Sequence, residues 1–196
     1  MQPWQPLLDF WFGDDTDDAS RAKRQAPLWW GKSRDTDLLI RQRFGALAEQ
    51  ASAGTLAHWA EVPTGRLALI LLLDQLPRNI HRGTPGSFAQ DAKALALTLA
   101  GLSLGADKAL SPLARVFYYL PLEHAEQREH QARSVALFDA LAAEQPGSTF
   151  AGYLDFARRH QVIVDRFGRF PHRNAILGRP NTTEESAFLT QPGSGF

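Results

Sequence analysis

Polar side chains that could act as acids, bases or ligands interrupt two stripes of apolar residues in this sequence. Residues that recur every three or four positions lie on one face of an α-helix. Over 150–167 this face is apolar except near its middle, where His160 stands. Over 127–141 the apolar face becomes polar toward its start, at Gln131 and Gln127. Both patterns predict polar side chains at positions that helix packing would bury.

Three more residues extend this set of polar side chains. The apolar segment 66–73 ends in Asp74, and Glu123 is followed directly by His124. A buried polar group costs roughly 1–3 kcal/mol unless it is hydrogen-bonded, so these residues need partners, and the simplest partners are one another. Imidazole and carboxylate groups are common acids and bases in enzymes. If the site is catalytic, the predicted acid–base group is His124 or His160, oriented by Asp74 or Glu123.

The third feature is a basic run, RFGRFPHRNAILGR over 166–179, which contains no acid although the chain has zero net charge. Arginine binds carboxylate or phosphate through two parallel hydrogen bonds and stays charged when buried. The run therefore predicts a pocket for a small anionic molecule, walled by the central helix and the helices that end near Glu144 and Phe167. The predicted ligand-binding residues are Arg78, Asn79, Gln127, Gln131, Arg166, Arg169, His172, Arg173 and Asn174.

Two other interpretations of the same residues stay open. In the first, the chain is a non-enzymatic helical scaffold that binds a protein or peptide partner in an extended groove. Tryptophans near its N-terminus would then contribute exposed apolar surface: Trp4, Trp11, Trp29 and Trp30. In the second, the polar residues form only a buried structural network. Such a network predicts stability losses on mutation and no response to ligands.

Composition and missing motifs exclude several kinds of site. The chain has no cysteine, so it has no disulfide, no thiolate metal site and no cysteine nucleophile. It carries no phosphate-cradling glycine motif, no nucleophile elbow and no HExxH zinc motif. We predict no metal and no other cofactor, although Glu123, His124 and His160 could meet as a zinc or iron site.

Charge and hydropathy limit the partners of the chain and its location. A neutral chain is a poor candidate for binding nucleic acid, which usually requires a basic protein. The longest apolar run, 67–73, is too short to cross a bilayer, so no membrane partner is expected. The start of the chain lacks the basic region of a signal peptide, and we expect a cytoplasmic protein.

Helical periodicity dominates the elements that must position these residues, and no segment shows the alternation typical of a strand. We predict an all-α, multi-helix array with short connections, formed as a single domain over 1–196. Capping residues and helix-breaking residues set the bounds of the predicted helices. Five of them span 37–53, 64–75 (ended by Pro77), 88–102, 112 to near Pro121, and 123–144. A sixth is capped by Ser148 or Thr149 and ends at Gly168, and a short seventh begins with a capping box at Thr182 and Glu185.

One internal similarity links the central segment to the basic run. QLPRNIHRG over 75–83 and RFPHRNAILGR over 169–179 share a proline, an Arg-Asn pair, an isoleucine and a later arginine. The pattern is consistent with a degenerate repeat, and equally with coincidence in so short a stretch.

Three long motifs make the sequence resemble a known family. They are RLALILLLDQLPRNIHRG over 66–83, FYYLPLEHAEQ over 117–127, and HQVIVDRFGRFPHRNAILGR over 160–179, followed by TTEE. These resemble the bacterial domain-of-unknown-function family numbered 924 over nearly the whole chain. The resemblance implies an all-helical, tetratricopeptide-like superhelical fold and no particular function. Two positions depart from the motifs, Leu76 and Ala125, and neither changes a charged group. The motif residues are Asp74, Gln75, Arg78, Asn79, Glu123, His124, Gln131, His160, Arg166, Phe167, Arg169, Pro171, His172, Arg173 and Asn174.

Overall fold

The structure is a computed structural model that describes residues 2–14 and 17–195. Within these ranges the regular elements are all helical, which confirms the all-α prediction. The superhelical, tetratricopeptide-like arrangement stays a prediction. The α-helices are α1 Gln5–Phe12, α2 Asp18–Trp30, α3 Arg34–Ala53, α4 Pro63–Ile70, α5 Leu76–Ile80, α6 Asp91–Ser103, α7 Pro112–Glu123, α8 Arg128–Glu144, α9 Ser148–Phe167, α10 Asn174–Leu177 and α11 Thr183–Leu189.

Local capping signals set several helix ends as the sequence predicts. Ser111 caps α7, because its side chain accepts a hydrogen bond from the N–H of Ala114. Gly168 ends α9 with a φ of 71°, a left-handed conformation that glycine adopts without strain. Thr182 and Glu185 form the predicted capping box at the start of α11.

The central helix continues through the proline that the sequence predicts to end it. Over 63–80, α4 passes into a π-helical turn at Leu71–Gln75 and then directly into α5. Pro77 cannot donate to the carbonyl four residues earlier, and its ring crowds that carbonyl. A π turn just before the proline widens the helix and accommodates it. Such turns are frequent at functional sites, and this one contains Asp74.

Other helix boundaries also differ from the prediction. α7 continues past Pro121 because its apolar residues are buried on all sides, and tertiary packing outweighs the one lost hydrogen bond. α8 begins at Arg128 rather than at residue 123, since residues 124–127 form a turn. The residue before α9 is Gly147, so neither predicted cap is used, and α6 begins at Asp91 rather than at residue 88.

The N-terminal tryptophans lie mainly in the core rather than on the surface. α1 and α2, which the sequence did not predict, bury Trp4, Trp11 and Trp29 against the central helices. Trp30 alone of the four is substantially exposed, at 47%. The expectation that this region offers a wide exposed apolar surface is therefore wrong, because burial of these large rings stabilises the fold.

α7 lies at the centre of the arrangement and brings the polar residues together. It packs against α8, α9, α4, α6 and the π turn, and α8 packs along α9. A small second core, formed by Ile163, Val164 and Phe170, attaches the basic run to the end of α9. As a result, the C-terminal end of α7 lies between the π turn and α9. No helix within the described ranges is long and apolar enough to span a membrane.

Candidate functional site

The first pair in the site joins the π turn to the end of α7. Asp74 is fully buried, and its carboxylate oxygens lie 2.8 and 3.0 Å from Nδ1 of His124. The amide of Gln75 donates to the same carboxylate at 2.5 Å. With Nδ1–H donating to Asp74, the lone pair of His124 is on Nε2. This Nε2 has no hydrogen-bond partner among the described residues and keeps contact with solvent.

The second pair joins α5 to the start of α6. Arg78 donates to the backbone carbonyl of Asp74, and its Nη2 lies 3.5 Å from the Asp74 carboxylate. Both of its terminal nitrogens donate to the Asp91 carboxylate at 3.1 Å. Burial opposes ionisation of Asp74, but Arg78 and His124 outweigh it and hold the pKa of Asp74 well below its usual range. Asp74 is therefore a carboxylate at neutral pH.

Arg173, from the basic run, completes the cationic side of the site. It is 6% exposed, and its guanidinium lies 4.7 Å from the ring centre of Phe88 and 4.6 Å from that of Phe170. Among the described residues, its guanidinium makes one hydrogen bond, a 3.4 Å contact from Nη1 to Asp91, and its buried Nε has no partner. Burial and the neighbouring Arg78 lower the pKa of Arg173 to about 10, so it stays charged at neutral pH.

A second histidine–carboxylate pair lies beneath the first. Nδ1 of His160 hydrogen-bonds the carbonyl of Phe156 at 2.8 Å, and it also lies 3.0 Å from the Glu123 carboxyl group. The rings of His124 and His160 are 6.2 Å apart. Burial, with Asp74 nearby, raises the pKa of Glu123 to about 8. Burial and His124 lower the pKa of His160 to about 3, so both partners are neutral at pH 7.

These charge states allow acid–base chemistry. Burial and the neighbouring Arg78 lower the pKa of His124, against the opposite effect of Asp74, so His124 is a neutral base. Glu123, the residue directly before His124, is a protonated acid. Groups whose environments move their pKa values in opposite directions are typical of acid–base sites. Within the described ranges, no cluster of three or more histidine and acidic residues could hold a metal ion.

Comparison with known proteins identifies the family. The model of the family described as "Bacterial protein of unknown function (DUF924)" matches residues 7–193. The chain belongs to this family. The solved structure of a protein of unknown function from Agrobacterium tumefaciens is similar, with 38% sequence identity and a TM-score of 0.81 over 95% of this chain and 96% of that chain. No curated protein shows significant similarity. The resemblance drawn from the three motifs is thus confirmed.

In this DUF924 chain, most of the basic run is neutralised by nearby acids. Arg166 is exposed and donates to Glu184 at 2.8 Å. Arg169 binds Glu185 with two hydrogen bonds of 2.6 and 2.7 Å. Arg179 binds Glu126 in the same manner, at 2.6 and 2.9 Å. Of the four arginines in the run, Arg173 is therefore the one without a close carboxylate partner among the described residues, since its contact with Asp91 is 3.4 Å long. The other three are neutralised because acids distant in sequence fold back onto the run.

The two glutamines of the predicted ligand-binding set, Gln127 and Gln131, lie near the start of α8. Gln131 is buried and donates to the carbonyls of Glu123 and Ala125, which stabilises the end of α7. Gln127 is exposed, at the start of α8. These contacts explain why α7 ends where it does. They leave the role of both glutamines in ligand binding a prediction.

The two asparagines and His172 lie around the site rather than in its centre. Asn79 donates to Asp37 on α3, at 2.9 Å. Asn174 donates to Asn181 and accepts from Arg179, each at 2.8–2.9 Å. His172 lies beside Phe170, where burial and Arg173 lower its pKa to about 4. His172 therefore borders the cluster as a neutral side chain.

The similar segments 75–83 and 169–179 meet at Phe88 and Asp91, two residues of the site that the sequence did not predict. Arg78 of the first segment and Arg173 of the second both bind Asp91, and both lie over the ring of Phe88. Nothing in the pattern around Phe88 and Asp91 indicates this role. The Arg-Asn pair that both segments share is the sequence feature that could have indicated that Arg78 and Arg173 lie close together, because repeated segments often occupy related positions.

Proposed function

We propose that this protein binds a small anion, a phosphate or a carboxylate, beside Arg173. The observation that carries the proposal is the state of the Arg173 guanidinium. It is buried against two aromatic rings, yet among the described residues it has a single acceptor at 3.4 Å and an Nε without a partner. A guanidinium offers five N–H groups in a planar fork that matches an oxyanion. A bound oxyanion would satisfy donors that the protein leaves unfilled.

His124 is the acid–base group of this site. Asp74 accepts its Nδ1–H, which leaves the lone pair on Nε2, on the side of the ring away from Asp74. Nε2 takes a proton from a substrate or from water, and the resulting imidazolium is stabilised by the Asp74 carboxylate. The low pKa of His124 keeps it unprotonated at neutral pH, which is the form that a base requires.

The attraction for the anion comes from unfilled donors rather than from net charge. The formal charges of Arg78 and Arg173 are balanced by those of Asp74 and Asp91. Binding should therefore depend on the geometry of the oxyanion and weakly on ionic strength, because buried groups are poorly screened. A site that acted through net charge would lose most of its affinity at high salt.

The test is thermal unfolding in the presence of phosphate, pyrophosphate, acetate and succinate. A ligand at 100 times its dissociation constant stabilises the folded protein by about 2.7 kcal/mol. We expect one anion class to raise the melting temperature of the wild type and of R166M, whose arginine is exposed and bound to Glu184. At high ionic strength, where exposed charges are screened, R173M should lose the effect. A wild type that no anion stabilises would overturn the proposal and favour the structural network.

A further inference from the structure

We infer a second anion site, separate from the first, in a cavity of about 310 Å³ between α3 and the end of α5. Its volume is at the lower end of the range for ligand sites, roughly 300–1,000 Å³. The residues that line it include three arginines, one acid and two apolar residues: Arg34, Arg41, Arg82, Asp37, Leu38 and Ile80. We refer to it as the α3–α5 cavity.

Cations outnumber acids in the α3–α5 cavity. Its one carboxylate, Asp37, is already used, because Arg82 donates to it at 2.6 and 2.8 Å and Asn79 at 2.9 Å. The same three contacts hold the pKa of Asp37 below its usual value, although burial opposes them. Asp37 thus neutralises Arg82, and only a longer-range attraction from Asp37 reaches Arg41. Three arginines line the cavity, so it carries two more cations than its carboxylate balances.

The two remaining arginines lack carboxylate partners. The side chain of Arg34 makes no hydrogen bond or ion pair with the described residues. Arg41 donates only to the backbone carbonyl of Ile80. Arg34 is also the first residue of α3, where the helix dipole disfavours a cation. An anion in the cavity would offset that unfavourable position.

The spacing of these arginines indicates the chemical class of the ligand. Residues 34 and 41 are seven positions apart, which places them on one face of α3 at about 10 Å along its axis. The neutralised Asp37 lies between them on that face. Two separated cations suit a small molecule with two anionic groups. Leu38 and Ile80 add apolar surface for the part that joins those groups.

The experiment is calorimetric titration with pyrophosphate and with succinate, at about 20 mM salt so that exposed charges are weakly screened. We expect one of these dianions to bind the wild type and to bind R34A/R41A about tenfold more weakly or worse. R133A removes an equally exposed arginine from α8, outside the cavity, and should bind as the wild type does. Affinity at the α3–α5 cavity should fall steeply as salt is added, unlike that at Arg173.

The two sites are distinguished by a second variant. R173M should keep the salt-sensitive binding that R34A/R41A loses. If R34A/R41A binds both dianions as well as the wild type does, or if neither dianion binds the wild type, the α3–α5 cavity is not an anion site. Loss of binding in R173M alone would assign the anion to the first site and also overturn this inference.

Discussion

Replacing Glu123 by glutamine tests the charge state on which the acid–base site depends. In the folded protein burial, with Asp74 nearby, raises the pKa of Glu123 to about 8, whereas its ordinary value is 4.5. Between these values the folded state keeps a proton that the unfolded state releases. Folding is therefore favoured by this group at low pH, and the benefit is lost as pH rises from 4.5 through 8. Glutamine resembles the protonated acid in shape and does not titrate.

The size of the effect follows from the two pKa values. One such proton changes the free energy of unfolding by about 1.4 kcal/mol per pH unit. Between about pH 5.5 and about pH 7.5, the wild type should lose about 2–3 kcal/mol that E123Q keeps. Urea unfolding followed by tryptophan fluorescence at both pH values measures the difference between the proteins. Groups that are present in both proteins titrate alike, so their contribution cancels when the difference in stability between E123Q and the wild type is compared at the two pH values.

E129Q provides the matched control, because Glu129 is exposed at the start of α8. Its stability relative to the wild type should stay nearly constant across the same pH range. If the difference between E123Q and the wild type is also independent of pH, Glu123 is ionised in the folded protein. It would then form an ion pair with His160, and the assignment of Glu123 as an acid would be refuted.

Three further predictions concern neighbouring groups. D74N should reduce the free energy of unfolding by about 3 kcal/mol, because it breaks a buried ion pair. D139N breaks an exposed ion pair and should reduce it by under about 1 kcal/mol; urea unfolding measures both variants. The folded pKa of His160, about 3, lies below its ordinary 6.5, so this group should lower the stability of the wild type relative to H160Q by up to about 1.4 kcal/mol per unit as pH drops between these values. A difference between the two proteins that is independent of pH would contradict this. G101A should cost about 1–3 kcal/mol in thermal unfolding, since its Cβ would lie 1.6 Å from the Tyr118 hydroxyl, and an unchanged melting temperature would show that the ring moves away freely.

Short-range signals in the sequence were sufficient for much of the helical scaffold. The caps at Ser111, Gly168 and Thr182 act through neighbours three or four residues away, so local pattern predicts them. Periodicity likewise places Asp74 and His160 on buried faces, because a helix fixes which positions share a face. Local rules failed at Pro77 and Pro121. There, packing of an apolar helix on all sides outweighs the preference of proline to end a helix.

The sequence by itself determined that acids, bases and arginines would be gathered near the core, and which family the chain resembles. Tertiary structure alone decided which charges cancel. Glu126 and Glu184 neutralise Arg179 and Arg166, whereas Asp91, 82 residues from Arg173, provides it with only one long contact. Such pairings depend on distances between helices that are remote in sequence, and no periodicity encodes them. Arg173 was one cation among several in the basic run, and the fold buries it with an Nε that has no hydrogen-bond partner.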